Sequence, residues 1–406
     1  MSTRSSLLAA LVAVVMVGTA CGKSTTTTTG TLASPSGCPS GSKLPSKICK
    51  GEGVLNLIAW QGYTEDGSTD PKFDWIHPFE QQSGCQVNVK YGNTSDEMVN
   101  LMREGGGTAY DGVSASGDAT NRLIAHGDVA PVNVNLIDGW KQFLPTLQSP
   151  PHNTVKGVHY GVSYMYGANV LMYNTDAVKP APTSWSAVFD PNTPYAGKIT
   201  DYNSAIYIAD AALYLKAHDP SLGIDDPYEL TSAQLDAATN LLKQQAPNVK
   251  KYWGSATDEL DLFTSGDVVV GTAWPYQVSV LQADNKVHVA ATIPSEGATG
   301  WADTWMMSSH AKHPNCMYLW MQWASSSDVQ AQVAEFYGAT PSNQQSCTKL
   351  TADLGASAAA PYKCGDDAFV KQLYLWRTPL PDCGNGSTDC MDYSVWTNKW
   401  NEITGA

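Results

Sequence analysis

The run YGVSYMYGANVLMYN, residues 160–174, reads as strand from end to end yet carries a glycine at its middle. It is longer than one ordinary strand, and an interior glycine marks a bend or a change of sheet. This is the pattern expected where a chain leaves one lobe and enters another. On both sides of it strands and helices alternate. Upstream, GVLNLIAW reads as a buried strand, FDWIHPFEQQSG as a short helix and CQVNVKY as an alternating strand. TSDEMVNLMREGGG follows as a helix that Ser95 is placed to cap, then YDGVSASGD as strand and loop, and ATNRLIAHGD as helix. Downstream, TSAQLDAATNLLKQ keeps Leu235, Ala238, Leu241 and Leu242 at helical spacing, and GDVVVGTAW is a strand ending at Trp274. Such alternation predicts an α/β fold with mostly parallel sheets, in two lobes. A second strand-like stretch, GATGWADTWMM (297–307), leads to the helix NCMYLWMQWASS and has the look of the return crossing. The expected boundaries are 52–163 with 301–345 for the first lobe, and 164–300 with 346–406 for the second.

The amino terminus belongs to neither lobe. Arg4 followed by the apolar run SLLAALVAVVMVGTA describes an export signal over residues 1–20, too short for a membrane-spanning helix. VGTAC resembles a bacterial lipobox, which would make Cys21 the lipid-bearing first residue of the mature chain; ordinary cleavage nearby is the alternative. The Thr/Ser/Gly/Pro tract that follows has too little apolar surface to fold, so residues 21–51 read as a flexible tether. The expectation is an exported protein held at the cell membrane.

A net charge of −14 argues against a nucleic-acid partner, which requires a Lys/Arg surface, and suits a cationic ligand. Eight cysteines besides Cys21 imply four disulfides in an oxidising compartment. Of the 105 pairings that eight cysteines allow, short separations favour Cys38–Cys49, Cys347–Cys364 and Cys383–Cys390, which leaves Cys85 with Cys316. No CxxC pair or HExxH is present, so neither a metal nor another cofactor is expected.

Chemistry concentrates in GATGWADTWMM. In an extended chain residues i and i+2 share a face, so Trp301 would set an aromatic plane beside the Asp303 carboxylate. A ring face attracts an ammonium by about 0.5–2 kcal/mol, and a carboxylate adds about 1.5–3 kcal/mol through charge-assisted hydrogen bonds. Together they form a seat for a cation.

The order of motifs resembles the periplasmic polyamine-binding proteins, the spermidine and putrescine receptors of ABC importers. The matching pieces are AWQGY, AYDGVSAS, YGVSYMYGANVLMYN, TSWSAVFD, GDVVVGTAW, IPSEGATGWAD and VAEFYGATPSN, in order over about residues 54 to 345. The most specific is PSEGATGWAD, similar to the family's Pro-x-Glu-Gly followed by Trp-x-Asp. The resemblance implies a two-lobed fold with a hinge of crossing strands and a cleft between lobes. It also implies a binding rather than catalytic role, with a membrane permease as partner and a monomeric receptor. Carried over by motif, Trp60 and Tyr63 would be ligand-box walls from the first lobe, Trp274 a wall from the second and Trp301 a wall at the crossing. Asp303 would hold an ammonium. Ser116 and Asp118 fall where the family offers a serine and, nearby, an aromatic, and Asp118 equally suits a helix N-cap. Asp201 matches the first of two family acids, and Tyr202 replaces the second.

Three departures bear on the ligand. Gly62 stands where the family has an acid after AWQ, no counterpart to its second-lobe glutamate follows TDYN, and Arg377 lies near the place of a family glutamine. Should Arg377 reach the cleft, a zwitterion or smaller amine becomes the expected ligand. Two rival classes remain: a secreted glycan hydrolase using paired carboxylates, and a binding lobe reporting to a membrane sensor.

Overall fold

The computed structural model describes residues 37–40, 44–284, 286–384 and 386–405. The expected signal peptide, Cys21 and the tether as far as residue 36 lie outside the described residues.

The strands form two principal sheets and a small hairpin. The seven-stranded sheet holds Val54–Ala59, Gln86–Tyr91, Gly112–Ala115, Val162–Ala168, Thr299–Met307 and the two-residue strands Thr340–Pro341 and Tyr374–Leu375. The five-stranded sheet holds Val170–Asn174, Ile199–Tyr202, Val249–Trp253, Val270–Ala273 and Val289–Thr292. Helices flank both, so the chain folds as two α/β lobes. In each sheet the strands linked through helices are parallel, as in Val54–Ala59 beside Gln86–Tyr91 or Ile199–Tyr202 beside Val249–Trp253. The crossing strands run antiparallel to their neighbours, Thr299–Met307 against Gly112–Ala115 and Val170–Asn174 against Val270–Ala273. Both sheets are therefore mixed rather than mostly parallel. The reason is topological: a chain that crosses between lobes enters each sheet without a helical return to restore its direction.

The first crossing runs through residues 160–174 as expected. Val162–Ala168 lies in one sheet and Val170–Asn174 in the other, with Asn169 alone between them. The return passes from Val289–Thr292 to Thr299–Met307. The two crossings are tied where they meet: Asn169 N–H donates to the Thr299 carbonyl at 2.9 Å and Asn169 Nδ2 to Thr299 Oγ1 at 2.6 Å. Every residue of Val162–Ala168 and Thr299–Met307 is buried, the polar Ser163, Thr299, Asp303 and Thr304 among them.

Residues 346–406, expected with the second lobe, are divided in place. Tyr374–Leu375 pairs with Thr299 and Gly300 at the edge of the seven-stranded sheet, while helix Tyr393–Thr404 packs on helix Ser232–Gln245. The four disulfides follow the pairing expected from spacing. Cys85–Cys316 spans 231 residues and ties the start of strand Gln86–Tyr91 to helix Pro314–Ala324. One cap differs. Thr94, not Ser95, caps helix Ser95–Arg103 by accepting from Glu97 N–H at 3.1 Å, because the Ser95 hydroxyl is drawn instead to the Asp118 carboxyl.

Candidate functional site

Two strands end face to face. Ala59 is followed by Trp60 in the first lobe and Ala273 by Trp274 in the second, and these buried rings meet edge to face with centroids 5.9 Å apart. Trp274 also touches Tyr202 at 5.3 Å and Trp253 at 4.8 Å. Tyr202 in turn lies flat against Trp376, 5.8 Å away and 12° from parallel. Indoles and phenols from both sheets thus converge on one spot. Beside them is a cavity of about 10 Å³, walled by Tyr202, Trp274 and Trp376 and, toward the hinge, by Asn169 and Asp210.

Trp301 and Asp303 project to one face, as the i, i+2 spacing predicts, and are linked through two tyrosines. Trp301 meets the Tyr337 ring at 6.0 Å, Tyr337 meets Tyr63 at 4.9 Å, and Tyr63 OH donates to Asp303 Oδ2 at 2.5 Å. Ser116 Oγ donates to the other oxygen, Oδ1. The strand pairing slips between Ala302 and Thr304, where two residues of the first crossing strand, Tyr164 and Met165, lie opposite Asp303; such a bulge bends the strand that carries it. Trp301 lies over the backbone of the first crossing, where a Cβ on Gly167 would come within 2.7 Å of its ring. Only glycine fits there, which gives that residue of the crossing run a packing role.

Asp118 lies on the second residue of helix Gly117–His126, with Ser116 as its N-cap residue, so the N-cap reading of Asp118 does not hold. Its Oδ1 accepts from Ser95 Oγ at 2.8 Å, and Oδ2 is buried with no partner among the described residues. Arg122, one turn on, pairs with Asp96 at 2.5 Å and covers the Tyr393 ring at 4.5 Å. The segment carrying Trp376 closes over this helix: Thr378 Oγ1 donates to the Asp118 carbonyl at 2.7 Å, and a Cβ on Gly117 would stand 1.8 Å from the Trp376 carbonyl oxygen.

Burial governs the acids. It raises Asp303 to about 7 against the pull of the Ser116 and Tyr63 hydrogen bonds, with the Asp118 charge adding to the rise. It raises Asp118 to about 6, opposed by Ser95 and Arg122. Asp210 stands at about 7 for the same reason, relieved only in part by Thr299. Among the described residues several carboxyls are fully buried, but no lysine or arginine is. Buried charges are normally paired, and this surplus includes Asp111, Asp201 and Glu259 as well as Asp118, Asp210 and Asp303.

Two expected residues lie elsewhere. Asp201 points into the second lobe, where Oδ1 accepts from Thr272 N–H at 3.3 Å and from its hydroxyl at 3.2 Å, and Oδ2 from Gln245 Nε2 at 2.9 Å. Its neighbour Tyr202 faces the opposite way, into the aromatic cluster. Arg377 turns outward to Asp226 at 2.7 Å and Glu229 at 2.6 Å. Its neighbour Trp376 is buried against Tyr202. Trp376, Tyr337, Asn169 and Asp210 were not foreseen. Tyr337 was within reach, since it lies in VAEFYGATPSN, and Asp210 is a lone acid in the apolar helical run IADAALYL.

Two α/β lobes joined by crossing strands over an aromatic, acidic cleft define a solute receptor. Residues 74–360 match the bacterial extracellular solute-binding protein family, and the chain belongs to it. The putrescine-binding periplasmic protein PotF of Escherichia coli is 24% identical over 315 residues, which cover 74% of this chain and 81% of that protein. A putrescine/agmatine-binding protein of Pseudomonas aeruginosa is 25% identical over 292 residues, 67% of this chain and 77% of its own. Among solved structures, the substrate-binding protein PotD of a Streptococcus pneumoniae spermidine/putrescine ABC transporter superposes with a TM-score of 0.65 at 18% identity, covering 86% of this chain and 97% of that one. The MotA binding protein of Agrobacterium tumefaciens, solved with glucopine, gives 0.67 at 16% identity, over 86% and 99%. The chain is thus similar to substrate-binding proteins of ABC importers, which bind small ligands and deliver them to a membrane permease. No helix among the described residues is long and apolar enough to cross a membrane.

Proposed function

We propose that this protein captures a short linear amine of the putrescine type in the cleft between its lobes and hands it to an ABC permease. The observation that carries this reading is the meeting of Trp60 and Trp274 from opposite sheets among buried carboxyls with no buried base to match them. A protonated amine supplies both missing parts: its methylenes pack on the rings, and its ammonium neutralises the acids. The relatives named for putrescine and agmatine support the same chemistry.

Tyr63, Ser116 and Asp303 form the first-lobe side of the site, Trp274 and Tyr202 the second-lobe side, and Trp301 the wall at the crossing. A ligand touching both lobes favours their closed arrangement by its differential affinity, and the crossing strands serve as the hinge. The role is binding without catalysis. Both Asp303 oxygens are engaged by Tyr63 and Ser116, an arrangement suited to holding a charge rather than attacking a bond. In this reading the receptor works as a single copy at the outer face of the cell membrane, tethered by a lipid on Cys21.

A thermal-shift panel of putrescine, spermidine, agmatine, choline, amino acids and a sugar tests the reading. A ligand at a hundred times its Kd adds about 2.7 kcal/mol of stability, or several degrees of Tm, and putrescine should produce it. No response to any amine, with a clear response to the sugar, overturns the proposal.

A further inference from the structure

The lobes are joined by more than the two crossing strands. The segment Tyr374–Thr378 runs over their junction and is bonded on both sides. It starts at the edge of the return strand, where Tyr374 N–H donates to the Ala298 carbonyl at 3.2 Å and Trp376 N–H to the Gly300 carbonyl at 2.6 Å. On the first lobe it meets the start of helix Gly117–His126. There Thr378 Oγ1 donates to the Asp118 carbonyl, and the Trp376 backbone lies so close to Gly117 that no side chain fits between them.

On the second lobe it meets the loop between helices Ile208–His218 and Ser232–Gln245. Tyr228 OH donates to the Tyr374 carbonyl at 2.7 Å. Arg377 Nη2 reaches Asp226 Oδ2 at 2.7 Å and Glu229 Oε1 at 2.6 Å. The chain then stays on this lobe: Met391 N–H donates to the Leu230 carbonyl at 2.9 Å, and the Cys383–Cys390 disulfide closes the loop between.

Consecutive residues, Arg377 and Thr378, thus bond to opposite lobes. A movement that parts the lobes must break one bond or the other. The Arg377 cluster is the stronger fastening. Its three side chains are only 30%, 29% and 24% exposed, so its charge-assisted hydrogen bonds are sheltered from the screening that weakens surface pairs. Removing the guanidinium would also leave two carboxylates facing one another.

We propose that Tyr374–Thr378 is a strap with Arg377 as its clasp, which holds the lobes closed through the protein's own contacts. The closed form is then the resting form, and entry of a solute requires the strap to let go on one side. Closure by the strap spares the ligand part of the free energy that bringing the lobes together would otherwise take from its affinity. The inference goes beyond the binding reading above and holds whichever solute is bound.

Small-angle X-ray scattering of the full chain, freed of co-purified solute by dialysis and with none added, reads lobe separation directly. The wild type should scatter as a particle with closed lobes. Arg377→Met should lower the closed-to-open ratio by about tenfold, the lower end for loss of a charge-assisted hydrogen bond, and so enlarge the radius of gyration. Thr378→Val, which frees the strap from the first lobe, should enlarge it too, by a shift of about two- to tenfold in the same ratio. Lys243→Met breaks the Lys243–Glu402 pair, which lies within the second lobe, and should leave the particle compact. Arg377→Lys keeps a charge beside the acids and should stay nearer to the wild type than Arg377→Met does. Circular dichroism identifies any variant that has not folded, and the wild-type measurement stands without them. An expanded wild type overturns the strap, and so does a folded Arg377→Met or Thr378→Val protein as compact as the wild type. Equal expansion by Lys243→Met also contradicts it, since that variant leaves both sides of the strap intact.

Discussion

Asp303→Asn removes a negative charge from the site while barely altering its shape. The carboxylate accepts from Tyr63 OH on one oxygen and from Ser116 on the other. An asparagine keeps one acceptor, and its amide N–H₂ replaces the other; the Ser116 hydroxyl can turn to accept from it. The structural loss is then at most one neutral hydrogen bond, about 0.5–1.5 kcal/mol. The ligand loses more. An ammonium–carboxylate hydrogen bond contributes about 1.5–3 kcal/mol, which at 1.4 kcal/mol per decade is a Kd weaker by about 10- to 150-fold. The assay is calorimetric titration with putrescine at pH 8, above the value of about 7 to which burial raises Asp303, so that the wild-type group is ionised. A parallel melting curve shows whether the variant is folded. A folded Asp303→Asn protein that binds putrescine as the wild type does would remove Asp303 from the site and refute the pairing of carboxylate with rings.

Three further outcomes are expected. Asp303, Asp210 and Asp201 are raised from 3.8 to about 7, and Asp118 to about 6. The folded state therefore holds more protons than the unfolded chain between these values, and its stability from these groups is present at low pH and lost as pH rises through about 6–7. The ligand-free protein should melt higher at pH 5 than at pH 8, whereas putrescine, which needs the ionised acids, should bind more tightly at pH 8; melting curves and titrations at both pH values read the two opposed trends, and parallel trends would contradict the assignment. Gly117→Ala would set a Cβ 1.8 Å from the Trp376 carbonyl oxygen, so it should cost about 1–3 kcal/mol of stability and weaken putrescine binding by displacing the Trp376 segment, both measurable by denaturation and titration. Cys85→Ala with Cys316→Ala opens the 231-residue loop between the start of strand Gln86–Tyr91 and helix Pro314–Ala324 and should cost about 2–5 kcal/mol in denaturant unfolding, with ligand affinity unchanged in the folded protein.

The crossing at residues 160–174 was legible because a run apolar on both strand faces and broken once by glycine suits a chain passing from one buried sheet into the next. The pairing of Trp301 with Asp303 was legible because the two-residue strand period is local. The disulfides followed from spacing. What escaped depends on contacts distant in sequence. Ser95 is a good capping residue by type, but Asp118 claims its hydroxyl and Thr94 takes the cap. Arg377 drew attention as a charge near the expected cleft, yet it pairs with Asp226 and Glu229, acids distant in sequence, while Trp376 packs on Tyr202. Asp201 and Asp210 are each an acid amid apolar residues. Only the fold distinguishes them: one is satisfied within the second lobe by Thr272 and Gln245, while the other opens onto the cavity.

A crystal structure of the chain grown with putrescine tests the central claim most directly. The account predicts the diamine lying between the Trp60 and Trp274 rings, with a nitrogen within hydrogen-bonding distance of the Asp303 carboxylate. A diamine found instead in the outer groove beside Arg377, with those rings packed only against one another, would contradict it.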